Sequence, residues 1–425
     1  MPKGAYLRYW MKEALADRGF VGAPGRQRCK AAALERAPPA ASRASVPLVC
    51  VLTLLCATFC TREAAAQPAP SSAEEQSARP SVDTDGVAHL PAMSVPASHF
   101  MSPQARSRFI KLFSSAAVRA TLADAPAGQP DVRKLREHDE EKNAPYVARA
   151  KTLYPVDIEP RVIGGVRTEV ITPRAGVAPR NRTRVLINLH GGGFVWGEGN
   201  GARAESIPIA GTGKITVITV AYRMAPEFEF PAASEDVAAV YRELLKDHRA
   251  ADIGIYGCSA GGMLAAQAVA WFQKENLPTP GAIGTFCGSI EALGGDSSHL
   301  ASPLLGEPSA PHADTGSFSG MPYFRHASNE DPLVLPIRSQ RVLSRFPPTL
   351  LIAGSRDFTV SSLFHAQAAL EKAGVDAELH VWDGMWHAFF FDPDLPESQE
   401  VYRVVVKFFD RHLGAAPVSA PAAQP

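Results

Sequence analysis

Apolar residues are unevenly spaced along the 425-residue chain, and their spacing divides it into regions of different texture. From Asp157 onward, short β-branched apolar runs alternate with longer stretches of helical periodicity. The runs fall at 184–189, 215–221, 253–256, 283–286, 350–353 and 377–382. Helical patterns lie between and after them, including 232–245, 260–272, 361–372 and 399–412. Strands separated by helices need crossover connections, so the pattern predicts a mostly parallel sheet with helices on both faces. Two closely spaced runs at 161–166 and 168–172 predict an antiparallel edge, which brings the sheet to eight strands. In such a sheet the chemistry gathers at the carboxyl ends of the strands.

The pattern before the first strand is different. Ser102-Pro103 supplies a capping side chain and a first-turn proline, and predicts a helix through Phe109, Ile110, Leu112 and Phe113. A second helical stretch at 131–151 is highly charged and is expected on a surface. Because both precede every sheet strand, residues 95–155 read as a cap. Residues 67–94, rich in Pro, Ser, Ala and acidic side chains, read as a flexible linker, and 414–425 as a disordered tail. An apolar run at 46–60 follows Arg26, Arg28, Lys30, Arg36 and Arg43 and precedes Ala64, Ala65 and Ala66. That order describes a secretory signal peptide over 1–66 and an exported protein, periplasmic or secreted. A membrane anchor is the weaker reading, since the run is shorter than the roughly 20 residues a span requires.

Composition narrows the partners. Lys+Arg and Asp+Glu both number 43, so no long-range field gathers phosphates and nucleic acid is not an expected partner. Four of six cysteines (Cys29, Cys50, Cys56 and Cys60) would leave with the signal peptide. Cys258 and Cys287 remain, too few for a disulfide framework, and both read as packing residues. The histidines are scattered and no zinc spacing occurs, so no metal site is expected.

Candidate chemistry follows the apolar runs. After 253–256 comes Gly257-Cys258-Ser259-Ala260-Gly261-Gly262 and then a helix, a G-x-S-x-G pattern in strand–turn–helix context. Ser259 is the expected nucleophile. After 184–189 comes His190-Gly191-Gly192-Gly193-Phe194, whose glycines expose backbone N–H groups. Gly192 and Gly193, with the Ala260 N–H, are the expected oxyanion donors. The loop lacks the Lys and Ser/Thr of a phosphate cradle. After 350–353 comes Asp357, and after 377–382 comes His387, so the chain order is Ser, Asp, His. A serine hydroxyl needs an imidazole to take its proton, and the imidazole needs a carboxylate to fix its tautomer. Asp383 is a rival acid, but it leaves the same strand as His387, and Asp357 has the better expected geometry.

These residues together resemble the hormone-sensitive-lipase-like family of bacterial esterases. The resemblance is carried by His190–Phe194, Tyr222-Arg223-Met224-Ala225-Pro226-Glu227, Phe230-Pro231-Ala232-Ala233, Glu235-Asp236-Val237, Gly257–Gly262, Asp357 and Gly384–Phe389, and covers about 95–413. It implies an α/β-hydrolase catalytic domain over 156–413, with 291–345 contributing to the cap. It further implies a serine carboxylesterase acting on short- to medium-chain esters without a cofactor. One departure is visible: the family usually has Asp before the nucleophile, where this chain has Cys258. That Asp helps fix the surrounding loops. Tyr222 and Arg223 read as scaffold for the oxyanion loop. Phe194, Trp196, Met385 and Trp386 read either as acyl pocket or as core. Lactonase or amidase activity from the same triad stays open, as does a catalytically inactive ligand-binding homologue and a homodimer.

Overall fold

The computed structural model describes residues 80–91, 93–114, 131–292, 294–296 and 321–414. The expected signal peptide, residues 415–425 of the expected tail, and residues 297–320 of the expected second cap segment lie outside the described residues. Within the expected linker, β1 (Ser81–Val82) and β2 (Ala88–His89) pair antiparallel. Asp83 closes their turn by accepting from the N–H groups of Asp85 and Val87 at 3.0 and 2.8 Å. A short hairpin thus lies within the expected linker, its turn closed by an Asp side chain and by backbone hydrogen bonds where no hydrophobic alternation marks it.

The main body runs from residue 97 to 414. Its sheet comprises β3 (Val156–Ile163), β4 (Val166–Pro173), β5 (Val185–Leu189), β6 (Thr216–Val220), β7 (Ile253–Cys258), β8 (Ala282–Phe286), β9 (Thr349–Gly354) and β10 (Ala377–Trp382). Their order is β10-β9-β8-β7-β5-β6-β4-β3. Pairing is parallel from β10 to β6 and antiparallel at β6/β4 and β4/β3. The eight-stranded, mostly parallel sheet with an antiparallel edge matches the periodicity. One boundary moved: Gly164 and Gly165, inside the run at 161–166, have φ of 59° and 83° and form the β3–β4 turn instead.

Among the described residues, seven longer helices surround the sheet: α1 (Pro103–Phe113), α2 (Val132–Leu153), α3 (Asn200–Gly213), α4 (Ala232–Leu244), α5 (Ala260–Lys274), α6 (Val360–Lys372) and α7 (Pro396–His412). Alternate strand residues feed two cores. Val185, Ile187 and Leu189 face a core with Val237, Leu264 and Leu363 of α4, α5 and α6. Leu186, Tyr256 and Cys258 face another with Ile207 of α3 and Val405 of α7. Every residue of β5 and β7 is buried, as a strand covered by helices on both faces requires. Each fully buried aliphatic side chain there contributes about 1.5–3 kcal/mol.

The periodicity missed α3. Gly201, Pro208 and Gly211 interrupt its sequence, and ten of its residues are buried around most of its circumference, so no polar stripe marks it. The charged α2 is less superficial than expected. It buries Leu135, His138, Asp139, Asn143, Val147 and Ala150. The carboxylate of Glu140 on α2 accepts from the N–H of Asn200 at 3.1 Å, satisfying a donor at the start of α3 that has no partner within its own helix. Among the described residues, no helix is long and apolar enough to cross a membrane.

Candidate active site

Ser259 links β7 to α5 with φ 57° and ψ −120°, a region that costs a non-glycine residue about 1–3 kcal/mol. It is held there from both sides. Its N–H donates to the Phe286 carbonyl at 2.6 Å, anchoring the turn to the end of β8. The glycines on either side let β5 press against the turn: a Cβ on Gly261 would lie 1.8 Å from the Leu189 oxygen, and one on Gly257 2.2 Å from it. The amino end of α5 begins at Ala260, so its dipole points toward the serine.

The loop leaving β5 runs beside this turn. A Cβ on Gly191 would sit 3.5 Å from the Ser259 Cβ. Gly192, Gly193 and Phe194 then take φ of 100°, 60° and 60° in succession, curling the chain so that Val195 donates to the Gly192 carbonyl at 2.9 Å. Only glycine fits at 192, where a Cβ would meet the Trp196 oxygen at 2.1 Å. Tyr222 props the loop: its ring stacks on His190 at 4.2 Å, and its hydroxyl donates to the His190 carbonyl at 2.7 Å. Arg223 is anchored separately, its Nε donating to Asp236 at 2.9 Å. Burial pushes the His190 imidazole down to about 4, so the ring is neutral and acts as packing.

On the other side of the turn, the loops after β9 and β10 converge. His387 Nδ1 donates to Asp357 Oδ1 at 2.9 Å, with both side chains almost fully excluded from water. The backbone N–H and hydroxyl of Thr359 donate to the same oxygen, each at 2.8 Å. Burial alone would raise the Asp357 pKa. The facing imidazole and the Thr359 N–H outweigh it and leave the carboxyl below its usual range, hence ionised. An ionised acceptor fixes the Nδ1–H tautomer and makes Nε2 the nitrogen that can take a proton. Phe358 stacks on the imidazole with centroids 4.5 Å apart.

Cys287, read from sequence as packing, borders this pair. Its Sγ, a carboxylate oxygen of Asp357 and a ring nitrogen of His387 all lie within 4.8 Å of one another. Burial pushes the thiol well above its usual pKa, so it stays protonated and is a weak donor toward Asp357. Cys287 follows Phe286, the residue that anchors Ser259, so one short segment borders both the serine and the Asp–His pair. Both Cys258 and Cys287 are buried thiols outside any disulfide. The rival acid, Asp383, lies elsewhere and accepts from the hydroxyls of Ser98 and Ser355.

All four aromatic or sulfur-bearing pocket candidates are buried. Phe194 stacks on Tyr323 at 4.6 Å and meets Phe324 edge-on. Trp386 packs on Phe109 and Phe113 of α1. Met385 is fully enclosed, and a Cβ on Gly354 would lie 2.1 Å from its oxygen. Trp196 lines a separate open cleft of about 1070 Å³, with Arg136, Arg203 and Met224, which does not include Ser259. Beside Cys287 and Thr359, sequence reasoning also missed Glu205, whose helix carried no periodic signal.

Comparison with known proteins agrees with this geometry. A family model described as alpha/beta hydrolase fold matches residues 186–391. An acetyl-hydrolase of Streptomyces hygroscopicus is 27% identical over 282 residues, covering 61% of this chain and 91% of that protein. An esterase of Acinetobacter venetianus is 28% identical over 265 residues, covering 60% and 82%. The crystal structure of an esterase from the bacterial hormone-sensitive lipase family superposes with a TM-score of 0.61 at 26% identity, covering 74% of this chain and 99% of that one. With the parallel sheet, the serine turn and these relatives in agreement, the chain has the α/β-hydrolase fold, is similar to bacterial hormone-sensitive-lipase-family esterases, and is an ester-hydrolysing enzyme.

Proposed function

We propose that Ser259, His387 and Asp357 are the catalytic triad of this esterase and that Gly192, Gly193 and Ala260 form its oxyanion hole. The observation that carries this reading is the buried 2.9 Å contact between His387 Nδ1 and Asp357 Oδ1, made by two loops leaving adjacent strands, with Cys287 bordering the pair one residue after the carbonyl that the Ser259 N–H reaches. In the proposed cycle His387 Nε2 takes the Ser259 proton as Oγ attacks the ester carbonyl. The N–H groups of Gly192, Gly193 and Ala260 then hold the tetrahedral oxyanion, each such donor being worth roughly 3–4 kcal/mol. His387 passes the proton to the leaving alkoxide, and a water activated by the same imidazole releases the acyl group.

The substrates we propose are carboxylic esters of short to medium acyl chains; the acetyl-hydrolase name of one relative supports the short end. The α1 and α2 region and 291–345 would act as the cap that screens them, and residues 1–66 as a signal peptide that exports the enzyme.

Replacing Ser259 by Ala should leave the fold intact and lower kcat on p-nitrophenyl acetate about 10⁶-fold. The same change should abolish labelling by a fluorophosphonate. Turnover or labelling that survives in Ser259→Ala would refute the assignment.

A further inference from the structure

Glu205 lies in the middle of α3, only 4% exposed, on the face of the helix turned toward the catalytic loops. Its Oε1 accepts from the Gly191 N–H at 2.8 Å. Its Oε2 accepts from Asn188 Nδ2 at 3.0 Å and from the Cys258 N–H at 3.2 Å. Gly191 opens the oxyanion loop and Cys258 immediately precedes the serine, so a single side chain touches the backbone of both. Among the described residues no Lys or Arg pairs with it. A buried acid without a cation is costly to keep, and stability alone does not favour one.

We propose that Glu205 is a positioning residue for catalysis, its carboxyl group bracketing the N–H of Gly191 and the N–H of Cys258 so that the oxyanion loop and the nucleophile turn keep a fixed spacing. The proposal rests on the esterase reading above. The two loops leave different strands, β5 and β7, and nothing in the covalent chain sets their separation. Oxyanion donors act only when they sit about 2.7–3.1 Å from the developing charge, and a misplacement of about 1 Å can cost on the order of 10²-fold in rate. The family this chain resembles usually has Asp just before the nucleophile. Here that position is Cys258, and the carboxyl group reaches the turn from α3 instead. Burial pushes the Glu205 carboxyl up to about 8, against the pull of its N–H donors. Asn188, whose amide can turn to present its oxygen, matches the protonated form as well as the ionised one.

Two variants test the role. Glu205→Met fills the same space with no acceptor, and Glu205→Gln keeps one acceptor oxygen. Both are assayed on p-nitrophenyl acetate, with active sites counted by the endpoint of fluorophosphonate labelling. Glu205→Met should lose about 10²-fold in kcat with KM within threefold, and should bind a trifluoromethyl ketone, which forms a tetrahedral adduct, weaker by a similar factor. Glu205→Gln should fall between it and the wild type. A carboxyl group that only stabilises the fold would lower the melting temperature and the count of active sites but leave kcat per labelled site unchanged, and that result overturns the proposal. If Glu205→Met does not fold, Glu205→Gln decides: about tenfold lower kcat at constant KM supports the role, and unchanged kcat or failure to fold refutes it. A wild-type chain that neither turns over the ester nor takes up the phosphonate instead defeats the esterase reading itself.

Discussion

At the residue scale, two buried carboxyl groups in this site are pushed in opposite directions. Burial raises the Asp357 pKa, but the His387 imidazole, the Thr359 N–H and the Cys287 thiol outweigh it and leave the carboxyl below its usual range. It stabilises the fold above the unfolded value of 3.8, and that contribution is lost as the pH falls through its lower folded pKa. Among the described residues Glu205 has no cationic partner, burial dominates, and its carboxyl rises from 4.5 to about 8. Between those values the folded chain holds a proton that the unfolded chain has released. Its contribution is therefore complete below pH 4.5 and declines as the pH rises toward 8. Urea unfolding between pH 5 and 8 should show wild-type stability falling relative to Glu205→Gln, by at most about 1.4 kcal/mol per pH unit. Parallel pH dependences for the two proteins would contradict this assignment.

At the element scale, α1 shows how an N-terminal helix is fastened beside the histidine loop. Ser102 caps it, its Oγ accepting from the Ala105 N–H at 3.1 Å while donating to Glu397 of α7 at 2.9 Å. The Ser102 N–H donates to the same carboxylate at 2.7 Å. Further along, Phe109 and Phe113 cover Trp386, the residue before His387, and Arg108 pairs with Asp392 at 2.7 Å. Ser102→Ala removes the cap and one bond to a buried carboxylate, a loss of about 1–3 kcal/mol concentrated in α1. Amide exchange in 103–113 should accelerate by about 10-fold or more while protection in β5 and β7 holds. Unchanged exchange in α1 would show that aromatic packing alone secures the helix.

At the scale of the whole molecule, the parallel strands of the sheet form a platform whose carboxyl rim receives four loops, from β5, β7, β9 and β10. Their order along the sheet, β10-β9-β8-β7-β5, places the Asp and His loops on one side of the serine and the glycine loop on the other. A tetrahedral intermediate held between them would meet the imidazole on one flank and the N–H donors on the opposite one. The proposed export is also a property of the whole chain. Protein recovered from periplasm or culture fluid of an expressing bacterium should begin near Gln67, by N-terminal sequencing or intact mass. Recovery only in the cytosol with Met1 retained would refute the signal peptide.

The sequence alone was enough for the strand–helix alternation, the antiparallel edge, and the identity of Ser259, Asp357, His387 and the glycine loop as candidates. These features are local: β-branched runs, a 3.6-residue period, and glycines beside a serine after a strand. The β3–β4 turn shows the limit of that legibility, since the run at 161–166 spans Gly164 and Gly165 without marking where the chain reverses. The rest needed the folded chain. Helix α3 is buried on most sides, so amphipathic periodicity could not reveal it, and Glu205 within it is 14 residues from Gly191 and 53 from Cys258. The Thr359 donors to Asp357, and the thiol of Cys287 beside that carboxylate, likewise depend on which loops meet across the rim. Contacts between groups far apart in sequence are set by strand order and packing, and no spacing along the chain encodes them.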